Sequence, residues 1–397
     1  MMGNAHASTD VSPYLSVDFQ HNSNVFAAGN DVPLIAGRDS RADSFAHYLA
    51  GAVADLKWGA DTLALNVEGG KYNYIKNTIL DHYEIKFGSL LDWQLTPILS
   101  GDLGYEQGRT RTPPADALVQ DLELQTDRSA HATVKILLSP RWRLDLHPIW
   151  HSLDTPIVGY PEFGYRETTA AVRINYLGIQ KLTAGLRGEY VDGSYHNVIA
   201  ATKYTQKTAG VASNYAITGF SSFDMQAGYT WRNSSLVNPA DADLPQVSQT
   251  GLLGDTKTFT GAMGLTRRFS VKTAMALKVY REVGSYVASA NPTVNTGAEL
   301  SANWRPDAKL ALQLAYRYEK QQISGPQITI DENVDNRDDH SHDIQGSLTY
   351  QATRWLAFRP YAEYQSRKST LQQANYDTLL FGITVTARLN EKLNQLE

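Results

Sequence analysis

Segments in which apolar and polar residues alternate one for one recur along the whole chain. In the stretch KLALQLAYRYEKQQISG, Leu310, Leu312 and Leu314 fall on one parity, while Gln313 and Arg317 fall on the other. Successive side chains of a β-strand point to opposite faces, so this pattern predicts a strand with one apolar and one polar face. Comparable segments occupy Thr62 to Tyr74, Trp142 to Ser152, Val271 to Glu282 and Thr378 to Leu389.

The composition narrows the fold class. No run of about 18 apolar residues is present, which excludes a spanning helix, and no long segment has the 3.6-residue period of an amphipathic helix. The chain has no cysteine, a formal net charge of −5 and no block of basic residues, so it offers nucleic acid no electrostatic footprint. These features favour an all-β protein.

The predicted connections are of two kinds. Long polar connections are expected at Ala27 to Arg41, Thr110 to Gln125, Asn233 to Leu253 and Ser324 to Asp339. Tight turns fall between them, at Trp58 to Asp61, Leu95 to Pro97, Ser139 to Arg141, Tyr176 to Gly178, Thr218-Gly219, Arg267-Arg268, Arg305 to Asp307 and Ala352 to Arg354. This segregation predicts a transmembrane up-and-down antiparallel β-barrel of about eighteen strands, or about sixteen, with short periplasmic turns and long extracellular loops. A soluble β-sandwich has no reason to segregate its loops in this way.

Aromatic residues cluster where the predicted strands meet turns or loops. The 22 tyrosines and seven tryptophans outnumber the 11 phenylalanines, and rings with a polar edge favour the boundary between lipid and water. Two girdles are therefore expected. The periplasmic one contains Trp58, Trp93, Trp142, Trp304 and Trp355, and the extracellular one contains Tyr72, Tyr105, Tyr190, Trp231, Tyr316, Tyr318 and Tyr364.

The polar parity of the strands predicts the lining of a lumen. Burying unpaired charges is very costly, so these residues require water or partners, as in a hydrated pore. The alternative is a set of ion pairs that only stiffens the wall. The predicted lining residues are Glu68, Asp102, Glu106, Asp145, His147, Arg187, Glu189, Lys278, Tyr280, Glu282, Arg317, Glu319, Arg359, Tyr361, Glu363, Arg367 and Arg388. Tyr280 and Tyr361 have two interpretations, as stacking platforms for sugar rings or as wedges in the wall.

One cluster has the composition of a weak metal site. His340, His342 and Asp343 lie close in sequence, and a strand would place the two histidines on one face. A solvated acidic loop is the competing interpretation. No nucleophile, zinc or phosphate-loop motif is present, so neither catalytic residues nor a cofactor are predicted.

The termini carry no barrel pattern. Residues 1–10 read as the remnant of an export signal with an added start codon, because Ala5-His6-Ala7 has the form of a cleavage site. A single barrel domain is expected over residues 11–389. Residues 390–397 are expected to form a tail that ends in a cloning remnant, Leu396-Glu397.

The end of the first strand carries a family resemblance. The sequence from His21 to Phe26 (HNSNVF) resembles the D-S-N-V-F/Y ending of first strands in the type 2 family of β-barrel porins, which includes EpsL-like proteins of exopolysaccharide operons. Asn22 departs from the usual Asp. The resemblance implies the outer membrane of a Gram-negative bacterium, passage of an exported polysaccharide, and periplasmic export and inner-membrane copolymerase proteins as partners.

Three functions remain open from the sequence. The residues alone predict a polar pore without catalysis, and the resemblance implies a conduit for secreted polysaccharide. A general diffusion porin for small solutes is the alternative in the same class. A barrel enzyme that acts on lipid or glycan is the alternative from another class.

Overall fold

The computed structural model describes residues 8–29, 31–35, 37–38, 40–113, 120–155, 163–196, 202–236, 255–285, 292–328 and 333–389. Within these residues no helix is long and apolar enough to cross a membrane. Single 3-10 turns lie at Thr78–Leu80 and Gln372–Ala374. The strands are β1 (Ser8–Asn22), β2 (Asp43–Trp58), β3 (Asp61–Tyr74), β4 (His82–Thr96), β5 (Leu99–Arg111), β6 (Leu124–Ser139), β7 (Trp142–Thr155), β8 (Phe163–Ile179), β9 (Leu182–His196), β10 (Thr202–Thr218), β11 (Ser221–Leu236), β12 (Thr256–Ser270), β13 (Thr273–Ser285), β14 (Pro292–Trp304), β15 (Leu310–Ile328), β16 (Asn333–Gln351), β17 (Leu356–Ser369) and β18 (Tyr376–Arg388).

The strands close into an 18-stranded antiparallel barrel. Each strand pairs with the next in sequence, and β1 also pairs with β18 in a register that sets Asp18 opposite Thr384 and Phe19 opposite Ile383. Closure gives every strand a hydrogen-bonded neighbour on both sides, which is the condition for a sheet to exist in hydrocarbon. The predicted fold class is confirmed. Strand β1 begins at Ser8, so residues 8–10 belong to the barrel and not to the expected leader segment.

The two faces of the sheet differ as the alternation predicts. Outward residues include Leu15, Phe19, Ile85 and Phe381, each about half exposed. A soluble protein would bury such side chains, but lipid is an apolar solvent for them. Inward residues are polar and bond to one another, as Ser16 does with Thr386 across the β1–β18 closure at 3.1 Å between hydroxyl oxygens.

A repeated inward motif ties strands that are not neighbours. The ring of Tyr280 on β13 lies over Gly297 on β14, its register partner, and its hydroxyl donates to Glu319 on β15 at 2.6 Å. A side chain at the glycine would collide with the ring, so glycine is what lets the ring lie flat against the wall. We call this unit a tyrosine bracket. The described residues contain four such brackets: Tyr14–Gly51–Glu68, Tyr204–Gly193–Glu167, Tyr280–Gly297–Glu319 and Tyr361–Gly382–Asp18.

The loops that follow β1, β3 and β5 pack together at the end of the barrel opposite the tight turns. Val25, Phe26 and Leu80 are buried there against Phe45 and Tyr74, and we call this cluster the cap. Burial of apolar surface holds the loops together without secondary structure. Val25 and Phe26 belong to the HNSNVF segment, so this segment anchors the first loop.

Polar contacts fix the backbone of the cap. The side-chain amide nitrogen of Asn24 (Nδ2) donates to the backbone carbonyl oxygens of Ala28 and Asp377, at 2.9 and 3.1 Å. The Asp43 carboxylate, almost fully buried, accepts from the backbone and side-chain nitrogens of Asn77 at 2.7 and 3.0 Å. Arg111 donates to the carbonyl of Val25 at 3.0 Å. These bonds satisfy loop backbone that would otherwise be buried unpaired.

Two predicted tight turns lie at other residues. The β8–β9 turn falls after Ile179 and not at Tyr176 to Gly178, because a bulge between Tyr176 and Ile179 lengthens β8. The β12–β13 turn falls after Ser270 and not at Arg267-Arg268. Val271, predicted to face lipid within a strand, is a turn residue that is 96% exposed.

Two further expectations are corrected at the extracellular end. Ser324 to Asp339 was expected to be a long loop, but β15 and β16 pair across most of it, out to Ile328 and Asn333. Tyr72 was placed in the outer girdle, yet it points inward and stacks on His47 with ring centroids 3.9 Å apart. The predicted loop from Asn233 to Leu253 lies largely outside the described residues.

The arrangement of connections fixes the expected topology. Both ends of the barrel chain, at Ser8 and Arg388, lie with the tight turns, which bacterial barrels keep in the periplasm. Single cysteines at Ser235 and Ser324 should therefore react with a membrane-impermeant maleimide on intact cells. A cysteine at Thr96 should react only after the outer membrane is permeabilised, and its labelling on intact cells would invert the topology.

Candidate functional site: the inner wall of the barrel

The inner face is identified by bonds that skip a strand. Only on the concave side of a curved sheet do side chains from strands two apart converge, as the brackets do. Every lining residue predicted from alternation lies on this face by the register of its strand.

The predicted residues on β13 and β15 meet in one cluster. The Arg317 guanidinium donates to Glu319 at 2.6 Å and to the Tyr280 hydroxyl at 3.2 Å. It also lies 3.7 Å from Glu299 on β14, which in turn lies 4.0 Å from the Lys278 ammonium. These charges are therefore neutralised locally, within a lattice of donors and acceptors.

A cavity of about 410 Å³ lies against this cluster. Small residues form its floor, among them Gly264, Ala276, Ser301 and Ala315, so the wall is recessed there. Lys278, Glu299, Arg317, Asp343 and Gln345 supply its polar groups.

A second cavity of about 430 Å³ adjoins the first. The two share Ser301, Ala315 and Gln345, and together they form one recess, which we call the inner groove. The second cavity brings together Arg359, Tyr361 and Glu363 of the predicted set. Tyr361 donates to Asp18 at 2.9 Å, and Gln345 donates to Asp343 at 3.1 Å.

The remaining predicted residues lie elsewhere on the inner wall. On the opposite strands, β3 to β9, six of the seven predicted residues have a local partner: Lys86 for Glu68 at 3.2 Å, His131 for Asp102 at 3.6 Å, Arg143 for Asp145 at 2.6 Å, Thr133 for His147 at 2.9 Å, and Arg187 for Glu189 at 2.7 Å. Arg367 lies 3.9 Å from Asp339 toward the extracellular end. Glu106, Glu282 and Arg388 point inward outside the groove.

The two inward tyrosines differ in what they offer. Tyr280 is only 6% exposed, because the ring lies against Gly297 and beneath Lys278 and Arg317. Of the two interpretations of Tyr280, this burial favours a wedge in the wall over a stacking platform. Tyr361 lines the groove and keeps part of its surface open.

The weak metal candidates separate onto two faces. His340 and His342 point outward, and each forms a hydrogen bond between its Nδ1 and the hydroxyl of a tyrosine on β15. His340 bonds to Tyr318 at 2.9 Å, and His342 bonds to Tyr316 at 3.0 Å. Asp343 points inward into the groove. Among the described residues no group of three or more His, Cys, Asp or Glu is placed to hold a metal ion.

Several groove residues were missed from the sequence. Glu299 and Asp18 pair with predicted lining residues, and Asn303, Gln313 and Gln345 complete the polar lining. Gln313 alternates with the leucines of β15, so parity predicts its inward face but not its place in the groove. Glu299 lies in AELSANW, whose single leucine gives too weak an alternation to reveal the inward parity.

The closed barrel, its apolar exterior and its polar interior together define the class of protein to which the chain belongs. Only closed barrels and helices satisfy every backbone group in hydrocarbon, and barrels of this kind occupy the outer membrane of Gram-negative bacteria. The chain is an outer-membrane β-barrel.

Comparison with solved structures agrees at the level of the fold. The copper transporter OprC has a TM-score of 0.53 and 9% identity, over 96% of this chain and 65% of that one. OccK2 (OpdF) of Pseudomonas aeruginosa, solved in complex with glucuronate, has a TM-score of 0.49 and 10% identity, over 96% and 99% of the two chains. No protein-family model matches the chain, and no curated protein matches it either.

Proposed function

We propose that the barrel is an outer-membrane conduit for a secreted polysaccharide. The observation that carries this proposal is the pairing of charges in the first cavity of the inner groove. Arg317 is held by Glu319 and Glu299, so this part of the groove presents several hydrogen-bonding groups whose charges are balanced. Hydroxyl-rich chains exchange weak, similar hydrogen bonds with such a surface and are not trapped by a deep charged site.

The shape of the groove supports the same proposal. Its two adjoining cavities extend along the wall from Asp224 on β11 to Asp18 on β1. A recess that continues past a single cavity suits an extended polymer, and the open part of Tyr361 offers an apolar face to a sugar ring. Under this proposal the tight-turn end meets periplasmic export proteins and, through them, an inner-membrane copolymerase.

A diffusion porin for small solutes is the second candidate. One observation favours it, since each cavity, at about 410 and 430 Å³, is the size of a site for a single small molecule. The two candidates differ in what loss of the protein would do, because only the export function makes the barrel necessary for surface polysaccharide.

Deletion of the gene tests the proposal. In a strain with no second barrel of this kind, surface polysaccharide should disappear and polymer should accumulate in the periplasm, while uptake of small solutes stays unchanged. The barrel variants Asp343→Asn and Glu363→Gln, which alter groove polarity without adding bulk, should complement in part. Normal surface polymer in the deletion strain would rule out export and leave the diffusion porin.

A further inference from the structure

An exposed row of side chains crosses the outer surface near the extracellular end of β9 to β12. In the strand register Tyr190 pairs with Lys207, Lys207 with Trp231, and Trp231 with Lys257. All four face outward, so two lysines flank one tryptophan along a line perpendicular to the strands. We call this set the lysine–tryptophan row.

The depth of the row matches the lipid headgroups. On β10 the outward Tyr215 lies near the periplasmic turn, eight residues from Lys207. With a rise of about 3.4 Å per residue and a tilt of about 40°, these two positions are about 20 Å apart along the membrane normal. That distance is close to the apolar band of about 25 Å, so Lys207 lies at the outer lipid–water interface. Lys257, two tilted strand spacings away, lies within about 6 Å of that level.

An apolar surface continues below the row toward the bilayer centre. Tyr229 packs on Trp231 with ring centroids 4.8 Å apart and meets Phe259 edge to face at 5.2 Å. Phe259 is 73% exposed, which places its ring in contact with acyl chains. The same surface patch therefore offers ammonium groups above and aromatic rings below, the two parts of an amphipathic lipid site.

The lysines of the row carry no salt bridge within the described part of the chain. Two other lysines at this end are engaged: Lys320 lies 3.2 Å from Asp338, and Lys71 lies over the Tyr83 ring. Two acids lie near the row: Asp192, which pairs in register with Thr205, and Asp255, two residues before Lys257; each is offset from the row along the chain. Two strand spacings, about 10 Å, separate the backbones of Lys207 and Lys257. Flexible lysines at that spacing reach one phosphate together or two phosphates separately.

The geometry points to a binding site for a phosphate-bearing lipid of the outer leaflet. Lys207 and Lys257 bind its phosphate groups, Trp231 lies between them at the headgroup level, and Phe259 contacts its acyl chains. This site lies on the outside of the barrel and does not depend on what passes through the lumen. It would fix the barrel in a preferred lipid shell.

The test uses the full chain purified in detergent and exchanged into phosphatidylcholine vesicles with or without diphosphorylated lipid A. Lipid retained per barrel is counted by native mass spectrometry. Lys207→Gln with Lys257→Gln should lower the affinity for lipid A about tenfold to thirtyfold, since each lysine near an anionic surface contributes a several-fold gain. Dephosphorylated lipid A should be retained poorly by wild-type and variant alike.

Two further variants make the result decisive. Lys207→Arg with Lys257→Arg preserves the charges and should retain lipid A, which shows that the glutamine variant lost binding and not folding. Lys320→Gln with Lys368→Gln removes two outward lysines elsewhere at the same end and should leave retention unchanged. Equal retention by wild-type and the Lys207/Lys257 glutamine variant, equal loss in the Lys320/Lys368 variant, or equal retention of dephosphorylated lipid would each overturn the assignment.

Discussion

Arginine in place of Leu277 should destabilise the barrel by about 2–4 kcal/mol, the cost of a charge on the lipid face at mid-bilayer. Leu277 points outward between Leu265 and Leu300, its register partners on β12 and β14, and all three are exposed to lipid. It is the fifth residue of β13, which places it about 10 Å above the start of the strand at a tilt of about 40°. The measurement is reversible denaturant unfolding in lipid vesicles.

The matched control is the neighbouring residue. Ala276 points inward and lines the groove, so Ala276→Arg enters hydrated lumen and should leave the free energy of unfolding nearly unchanged. An equal loss for the two variants would mean that the faces of β13 are assigned the wrong way round. A loss confined to Ala276→Arg would have the same meaning.

The barrel could be predicted from sequence because its main physical constraint is local. Each membrane strand must present apolar side chains at every second residue, and a strand such as β18 shows this without reference to any other part of the chain. The inward positions then follow by parity, which is why Arg317 and Glu363 were assigned to the correct face. Strand number followed from counting hairpins.

The structure differs from the sequence predictions at positions where the alternation within one strand carries no information. Val271 has the same parity as Met275, so alternation continues through the β12–β13 turn and does not mark it. Outside the bilayer both faces of β15 and β16 meet water, and their extension carries no apolar signal. The cap depends on contacts between separate loops, such as Asn24 with Asp377, which no local pattern contains. Grouping of the groove residues likewise depends on register across several strands.

Valine in place of Gly297 should destabilise the barrel by about 1–3 kcal/mol, as overpacking does in a well-packed site. A β-carbon there would lie 2.6 Å from the Tyr280 ring and 2.7 Å from the backbone oxygen of Tyr318. Since the backbone cannot yield easily, Tyr280 must leave the wall, which breaks its bond to Glu319 and pushes the ring into the lumen. Unfolding free energy and single-channel conductance in planar bilayers should both fall.

Gly108 provides the control for this substitution. It also points inward from a strand, but a β-carbon there would meet only the Cγ of Lys86, at an ordinary contact distance of 3.7 Å. Gly108→Val should therefore change stability and conductance much less. Combining Gly297→Val with Tyr280→Ala should restore most of the conductance. If Gly297→Val matched Gly108→Val in both measurements, the flat placement of Tyr280 would be wrong.

The bracket formed by Tyr361 and Asp18 differs from the others because it crosses the closure between β18 and β1. Its two residues are 343 positions apart in the chain, yet in the folded barrel they are joined as closely as residues on consecutive hairpins. Together with the β1–β18 ladder, this bond makes the sequence a noncovalent ring in which every strand has two equivalent neighbours. On the tight-turn side, nine pairs of neighbouring strands meet. Eight of them are joined by a turn, and the ninth, β18 and β1, is where the chain is open. A circular permutant opened at any of those turns preserves every ladder and every bracket.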